Sequence, residues 1–355
     1  TPYPNTSAMG VGHAESTAWY ATCLKVKDAA PPPADLPAPS AVASLQQCQA
    51  TDLYYDTKSM SSPKPADWRP ARHCAMATQN SAVLMMLYQN GQGVQKDPLL
   101  ASRLFDVPSE GYLGSRIDAG YSPAAIQEKR NALLELLARE FGSFCKETYL
   151  ELDPDSQKEF SQAMGVRALK NIMLSMLARQ GDSEAFDLAH VQYLNTGNMS
   201  ERLGALKVLV WNDAPQAQDA LDDFYNRFKD EALSLDQWFS IQASNPNATE
   251  ETIKYLTQHV DYDLGTPNRI RAVSGGLNAN PVNTWSFGVD HFIELGAYLD
   301  EKNPILGSRL LQVLSRWYTL AEPQRSQVQQ ALKALQPKVK SKNVSETLSS
   351  MLNIE

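Results

Sequence analysis

Five histidines and four cysteines are the side chains best suited to hold a metal or attack a substrate, and their spacing argues against both. A zinc site needs three protein ligands held close together, and the helical zinc motif sets two histidines four apart with a glutamate after the first. His13, His73, His190, His259 and His291 are never followed by glutamate, and no two of them lie three to five residues apart. Cys23, Cys48, Cys74 and Cys145 form no C-x-x-C pair, which argues against a zinc ribbon or a thioredoxin-like site. Three of the four lie in the first 75 residues. That asymmetry fits a disulfide formed in an oxidising compartment, or reduced thiols packed as small apolar groups.

The remaining chemistry is equally sparse. No G-x-S-x-G elbow sets up a nucleophilic serine. Ser274-Gly275-Gly276 lacks the lysine and preceding strand of a phosphate loop, so its glycines are expected to allow close packing or to end a helix. Asp222-Asp223 and Glu250-Glu251 are adjacent, point to different helix faces, and read as solvated charge and helix-start acids. His190 and His259 are expected at helix edges, capped or partly solvated. The net charge of -8 argues against a nucleic-acid or anionic-membrane binder, which needs a basic face. No run of about 18 apolar residues exists, so no membrane-spanning helix is expected. No signal peptide is visible, and a chain starting at Thr1 fits a removed leader or a fragment.

The elements that would position these residues are helical. Hydrophobic residues make up 43% and charged residues 20% of the 355, enough for a sizeable core. Residues 1–95 form a proline-rich, partly helical segment, with an extended stretch at 29–39 and short helices flanking it. Its end carries one helical hairpin that resembles a Sel-like repeat, running through Asn90-Gly91-Gln92-Gly93-Val94 to a helix at Pro98–Phe105. Residues 96–355 form the second domain. Ser122 and Pro123 open a helix whose apolar face includes Ile126, Leu133, Leu134, Leu137, Phe141 and Phe144. Further stripes of about 10–16 residues follow at a 3.6 period, including Leu235, Trp238, Phe239 and Ile241, then Ile253, Leu256 and Val260, then Leu306 through Trp317. Asn245-Pro246, Asn280-Pro281 and Asn303-Pro304 break them, because a residue before proline disfavours the helical region. The expected fold is all-α: antiparallel helix pairs stacked in an armadillo/HEAT-like superhelix.

Six blocks carry a resemblance. They are Asp106–Glu110, Arg167–Asn171, Asn198–Leu206, Asp236–Ser244, Thr266–Arg271 and Asn303–Leu310. In order and spacing they resemble the C-terminal helical region of bacterial aminopeptidase N, a zinc aminopeptidase family, from about Phe105 to Glu355. In that family the catalytic domain supplies H-E-x-x-H, a further glutamate and a G-x-M-E-N segment; none of these motifs occurs here. The resemblance implies no catalytic residue, no metal ligand and no cofactor in this chain, zinc belonging to the catalytic domain. It implies a domain that caps the catalytic cleft and lines the channel for peptides.

The resemblance also places Arg271 and Arg309 as substrate-channel residues, since a guanidinium pairs bidentately with a carboxylate. Arg269 is expected to serve helix-end structure instead. The loop Asn280–Ile293 departs from the family pattern: it is shorter, and the histidine that the family places before its acid-glycine-serine-glycine run is missing, as is that run. Other readings are a peptide- or protein-binding scaffold with a groove lined by Trp238, Arg271, Arg309 and Trp317, or a cell-envelope protein acting through an inhibitor-like N-terminal segment. The partner is then a peptide or a protein, possibly a catalytic domain, with no nucleic acid. The resemblance points to the cytoplasm, and paired N-terminal cysteines would point to the periplasm or outside.

Overall fold

The computed structural model describes residues 97–353, apart from Phe105, Lys158 and the side chain of Leu104. The proline-rich segment, the Sel-like hairpin's first helix, and Cys23, Cys48 and Cys74 lie outside the described residues. Fifteen α-helices run in chain order within them. They are α1 (Pro98–Leu104), α2 (Glu110–Gly114), α3 (Pro123–Glu151), α4 (Phe160–Ala178), α5 (Ser183–Asn195) and α6 (Met199–Trp211). Then come α7 (Ala217–Phe228), α8 (Ala232–Ala243), α9 (Glu250–Gln258), α10 (Pro267–Asn278), α11 (Pro281–Thr284) and α12 (Gly288–Lys302). The last are α13 (Pro304–Leu311), α14 (Gln324–Leu335) and α15 (Lys342–Leu352). No sheet occurs among the described residues; an isolated bridge joins Tyr121 to Leu320. The fold is all-α and armadillo/HEAT-like.

Local sequence sets the helix ends. Asp182, Asn198, Asn280, Asn303 and Ser341 each accept a backbone N–H of the helix they open. Thr249 and Thr252 form a reciprocal capping box at the start of α9, with Glu250 and Glu251 in its first turn as expected. Proline opens α10, α11 and α13, where its missing N–H has no helical partner to lose.

The backbone falls into two compact units, residues 97–107 with 143–173 and residues 108–142 with 174–353. In the smaller unit Gly165 lets its helix approach Leu99, whose backbone N would lie 2.8 Å from an added Cβ. In the larger unit α5 packs on α6, and α6, α8 and α10 pack on one another in sequence. Helix α7 lies against α6 and α8, and α9 against α8 and α10. The stack continues through α12 onto α13 and α14, and α13 onto α15. Leu206, Leu209, Phe224, Phe239, Leu256, Ile270, Val273, Phe292 and Leu314 are fully buried along it.

The Asn-Pro breaks do more than end helices. Asn245 Nδ2 donates to Val210 O at 3.0 Å, and Asn280 Nδ2 donates to Pro246 O at 3.2 Å. Each asparagine therefore satisfies a carbonyl at the end of the preceding repeat, 35 and 34 residues back.

Three sequence expectations need correction. Helix α3 is 29 residues long, well beyond the expected stripe, because no glycine or proline signal strong enough to stop it occurs before Asp153. Val260 is 86% exposed, since the chain leaves the helix at His259 and the 3.6 periodicity lapses. Helix α13 ends at Leu311 and a 3₁₀ segment carries Gln312–Thr319, kinked at Arg316.

Gly275-Gly276 lies inside α10 rather than at its end. A Cβ on Gly276 would sit 2.7 Å from Ala243 Cβ and 2.9 Å from Ser240 O, which is backbone of α8. Gly276→Ala is expected to destabilise the domain by about 1–3 kcal/mol in urea unfolding, whereas Gly275→Ala is expected to be neutral or stabilising. Nothing lies within 4 Å of a Cβ at Gly275.

Candidate functional site

The three arginines of α10 and α13 have different fates. Arg269 is 7% exposed, and its Nε donates to Asp236 Oδ1 at 2.7 Å while Nη1 donates to Asp261 O at 2.5 Å. Its guanidinium carbon lies 4.9 Å from the centre of the Phe239 ring. Arg269 is consumed by structure, as the sequence suggested. Two residues on, the Arg271 side chain is exposed, and its Nη1 donates to Asn268 Oδ1 at 3.1 Å within the same helix. Arg309, in the last turn of α13, is exposed and makes no ion pair or hydrogen bond among the described residues. That position also complements the carbonyl end of its helix.

The aromatic half of the expected groove is not there. Trp238 and Trp317 are each 4% exposed. The Trp238 indole donates to Leu221 O at 3.1 Å and that of Trp317 to Met351 O at 3.0 Å. Both rings therefore fill the core, with their single polar atom satisfied by backbone.

The other reactive side chains are held quiet. His259 caps the end of α9, its Nδ1 accepting from Asp261 N at 3.2 Å among the rings of Tyr225, Trp238 and Phe239. Ser274 Oγ lies 3.1 Å from His291 Nε2, but Ser274 is 1% exposed, so no substrate atom can reach it. Cys145 is fully buried, and burial pushes its thiol up to about 12, far from nucleophilic. Asp223 is not simply solvated: it accepts the Tyr193 hydroxyl at 2.6 Å.

Residues 66–353 match the family described as "Domain of unknown function (DUF3458_C) ARM repeats". The chain belongs to this family. It is 30% identical over 235 residues to aminopeptidase N of Caulobacter vibrioides, covering 62% of this chain and 26% of that protein. It is 28% identical over 244 residues to aminopeptidase N of Escherichia coli, covering 67% of this chain and 28% of that protein. The chain thus spans about a quarter of the length of the curated relatives it matches. A crystal structure of Legionella pneumophila aminopeptidase A in complex with aspartic acid shares the fold, with a TM-score of 0.68 at 23% identity over 88% of this chain and 36% of that one. This is an armadillo-repeat domain homologous to the C-terminal region of aminopeptidase N.

Membership gives the sequence blocks a structural meaning. Asp236 of one block and Arg269 of another form a single ion pair, with side chains 14% and 8% exposed. Arg202, inside the Asn198–Leu206 block, donates to Tyr193 O at 2.6 Å and to Thr196 O. Asn303 opens the α13 block by capping it. These family residues are joints between helices. Among the described residues no three His, Cys, Asp or Glu side chains converge to hold a metal ion, so the donor set does not fit one. No helix among them is long and apolar enough to cross a membrane.

Proposed function

We propose that this domain is a non-catalytic cover that works with an aminopeptidase catalytic domain, capping its cleft and presenting Arg271 and Arg309 to the carboxylate side of a bound peptide. The observation that carries the reading is the contrast along α10 and α13. Arg269 is spent on Asp236 and Asp261, while Arg271, with one hydrogen bond inside its own helix, and Arg309 stand exposed in a family whose relatives are named aminopeptidase N. A solvated guanidinium keeps its planar fork free for a carboxylate. The catalytic partner is supplied by another part of a longer chain or by a separate subunit.

The test is binding of a fluorescent short peptide with a free C-terminal carboxylate, compared with its C-terminal amide. The acid is expected to bind more tightly, and Arg271→Ala with Arg309→Ala is expected to weaken it about tenfold while the amide is unaffected. Equal binding of acid and amide, or no change in the double variant, defeats the arginine assignment. Zinc-dependent release of alanine from an alanyl substrate by the purified chain overturns the non-catalytic reading.

A further inference from the structure

The turn between α9 and α10 holds a histidine with two uses for one neighbour. His259 follows the last residue of α9, and its side chain is 14% exposed. Its Nδ1 accepts a hydrogen bond from Asp261 N at 3.2 Å. A ring nitrogen that accepts cannot carry the proton, so the neutral imidazole is protonated at Nε2. The same Nδ1 lies 3.9 Å from Asp261 Oδ2. That oxygen is already in use. It accepts the Tyr225 hydroxyl, and this bond holds the hydroxyl pKa above its usual value. Asp261 therefore serves the imidazole with its amide and α7 with its carboxylate.

The groups facing His259 from each packed element favour a positive charge there. From α7 the Tyr225 ring stands edge-on at 5.3 Å, with Lys229 5.7 Å from that ring and Asp230 acting on its hydroxyl. From α8 come Trp238 at 5.1 Å, Phe239 at 5.5 Å, and Asp236, bound to Arg269 at 2.7 Å. Tyr255 of α9 lies edge-on at 6.2 Å. Arg269 of α10 is committed to Asp236 and to Asp261 O. In the turn itself Tyr262 packs on Phe239 and Asp263 accepts the Thr266 hydroxyl. The carboxylate that reaches the imidazole is that of Asp261. An aromatic face attracts a cation, an acid within 4 Å attracts it more strongly, and the carbonyl end of α9 adds to both. His291, by contrast, has burial and a serine.

Histidine is the side chain whose charge ordinarily changes between pH 5 and 8. A second proton must go to Nδ1, which turns that atom from acceptor to donor. Nδ1–H and Asp261 N–H are then two donors 3.2 Å apart, and their bond is lost. We propose that His259 is a proton switch in the α9–α10 turn: on protonation it exchanges the Asp261 amide for the Asp261 carboxylate and takes Oδ2 from the Tyr225 hydroxyl. The proton comes from solvent, and no covalent bond to carbon changes. What is released is the tie between α7 and the turn that leads into α10, since Tyr225 is on α7 and Asp261 O is an acceptor of Arg269. The switch goes beyond the peptide reading and stands without it.

The experiment is nuclear magnetic resonance of the isotopically labelled full chain between pH 8 and pH 5, reading the His259 ring nitrogens, the Asp261 amide and Tyr225 Cζ. At pH 8 the ring is expected to carry its proton at Nε2. As the pH falls, the Asp261 amide proton is expected to move upfield as its bond is lost, and Tyr225 Cζ to shift with it, both at the midpoint of the ring. His259→Phe keeps a packed ring that cannot titrate, and both shifts are expected to stay flat. Asp261→Asn keeps the amide and an oxygen for Tyr225 but removes the charge. There the amide is expected to follow the ring and Tyr225 Cζ to stay flat. Should His259→Phe not fold, the titration of the parent alone decides. A neutral ring protonated at Nδ1 overturns the switch. So does a ring that titrates in the parent while either the Asp261 amide or Tyr225 stays flat, or a ring that stays neutral until helical circular dichroism is lost.

Discussion

Replacing Arg269 by alanine is expected to destabilise the domain by about 3–5 kcal/mol, the range for removing one partner of a buried ion pair. Asp236 would be left 14% exposed with its strongest partner gone, and Asp261 O would lose its donor. The Phe239 ring, fully buried under the guanidinium, would face a void as well. Three successive helices are tied at this point, since Asp236 is on α8, Asp261 follows α9 and Arg269 is on α10. Arg269→Lys is expected to recover only part of the loss, because an ammonium cannot reach both acceptors with a planar fork. Urea unfolding followed by helical circular dichroism measures it, as a lower midpoint with little change in slope. Arg271→Ala, two residues away and exposed, serves as the control and is expected to stay within about 0.5 kcal/mol of the parent. A loss below about 1 kcal/mol for Arg269→Ala would show that the pair contributes no more than a surface contact.

The contrast between these neighbours shows what the sequence could and could not disclose. Helix starts were legible because their signals are local: Asn198, Asn280 and Asn303 cap the helices that follow them, and proline opens α10, α11 and α13. The all-α stack was legible because 3.6-residue periodicity and family blocks point the same way. Exposure was not legible for aromatics. Trp238 and Trp317 carry one N–H each, and whether that atom finds backbone or a ligand depends on helices 17 and 34 residues away. The Asp236–Arg269 pair spans 33 residues, so neither block alone announces it. Arg271 and Arg309 were singled out by family resemblance, and both side chains are exposed, Arg271 with one hydrogen bond to Asn268 in its own helix.

The stability of the domain is expected to fall as the pH drops from about 6.5 to about 4, with His291 contributing about 3 kcal/mol of that loss. Burial lowers the His291 proton affinity from 6.5 to about 4. Its Nε2 lies 3.1 Å from Ser274 Oγ on the neighbouring α10, and its ring stands edge-on to Phe292 at 5.5 Å. The sign follows from proton counts. Between these two values the unfolded chain binds a proton at this residue and the folded chain does not, so stability rises with pH. Above about 6.5 both states hold neutral imidazole and the contribution is full; below about 4 both are charged and it is gone. The quantity to measure is a difference between two proteins, which isolates His291 from every other group. His291→Gln keeps a group able to bond Ser274 but cannot titrate. In urea unfolding at about pH 7.5 and pH 4, the parent is expected to lose about 3 kcal/mol more than the variant. Parallel losses in the two proteins would mean that His291 is protonated as readily folded as unfolded, and that the space between α10 and α12 admits a charge.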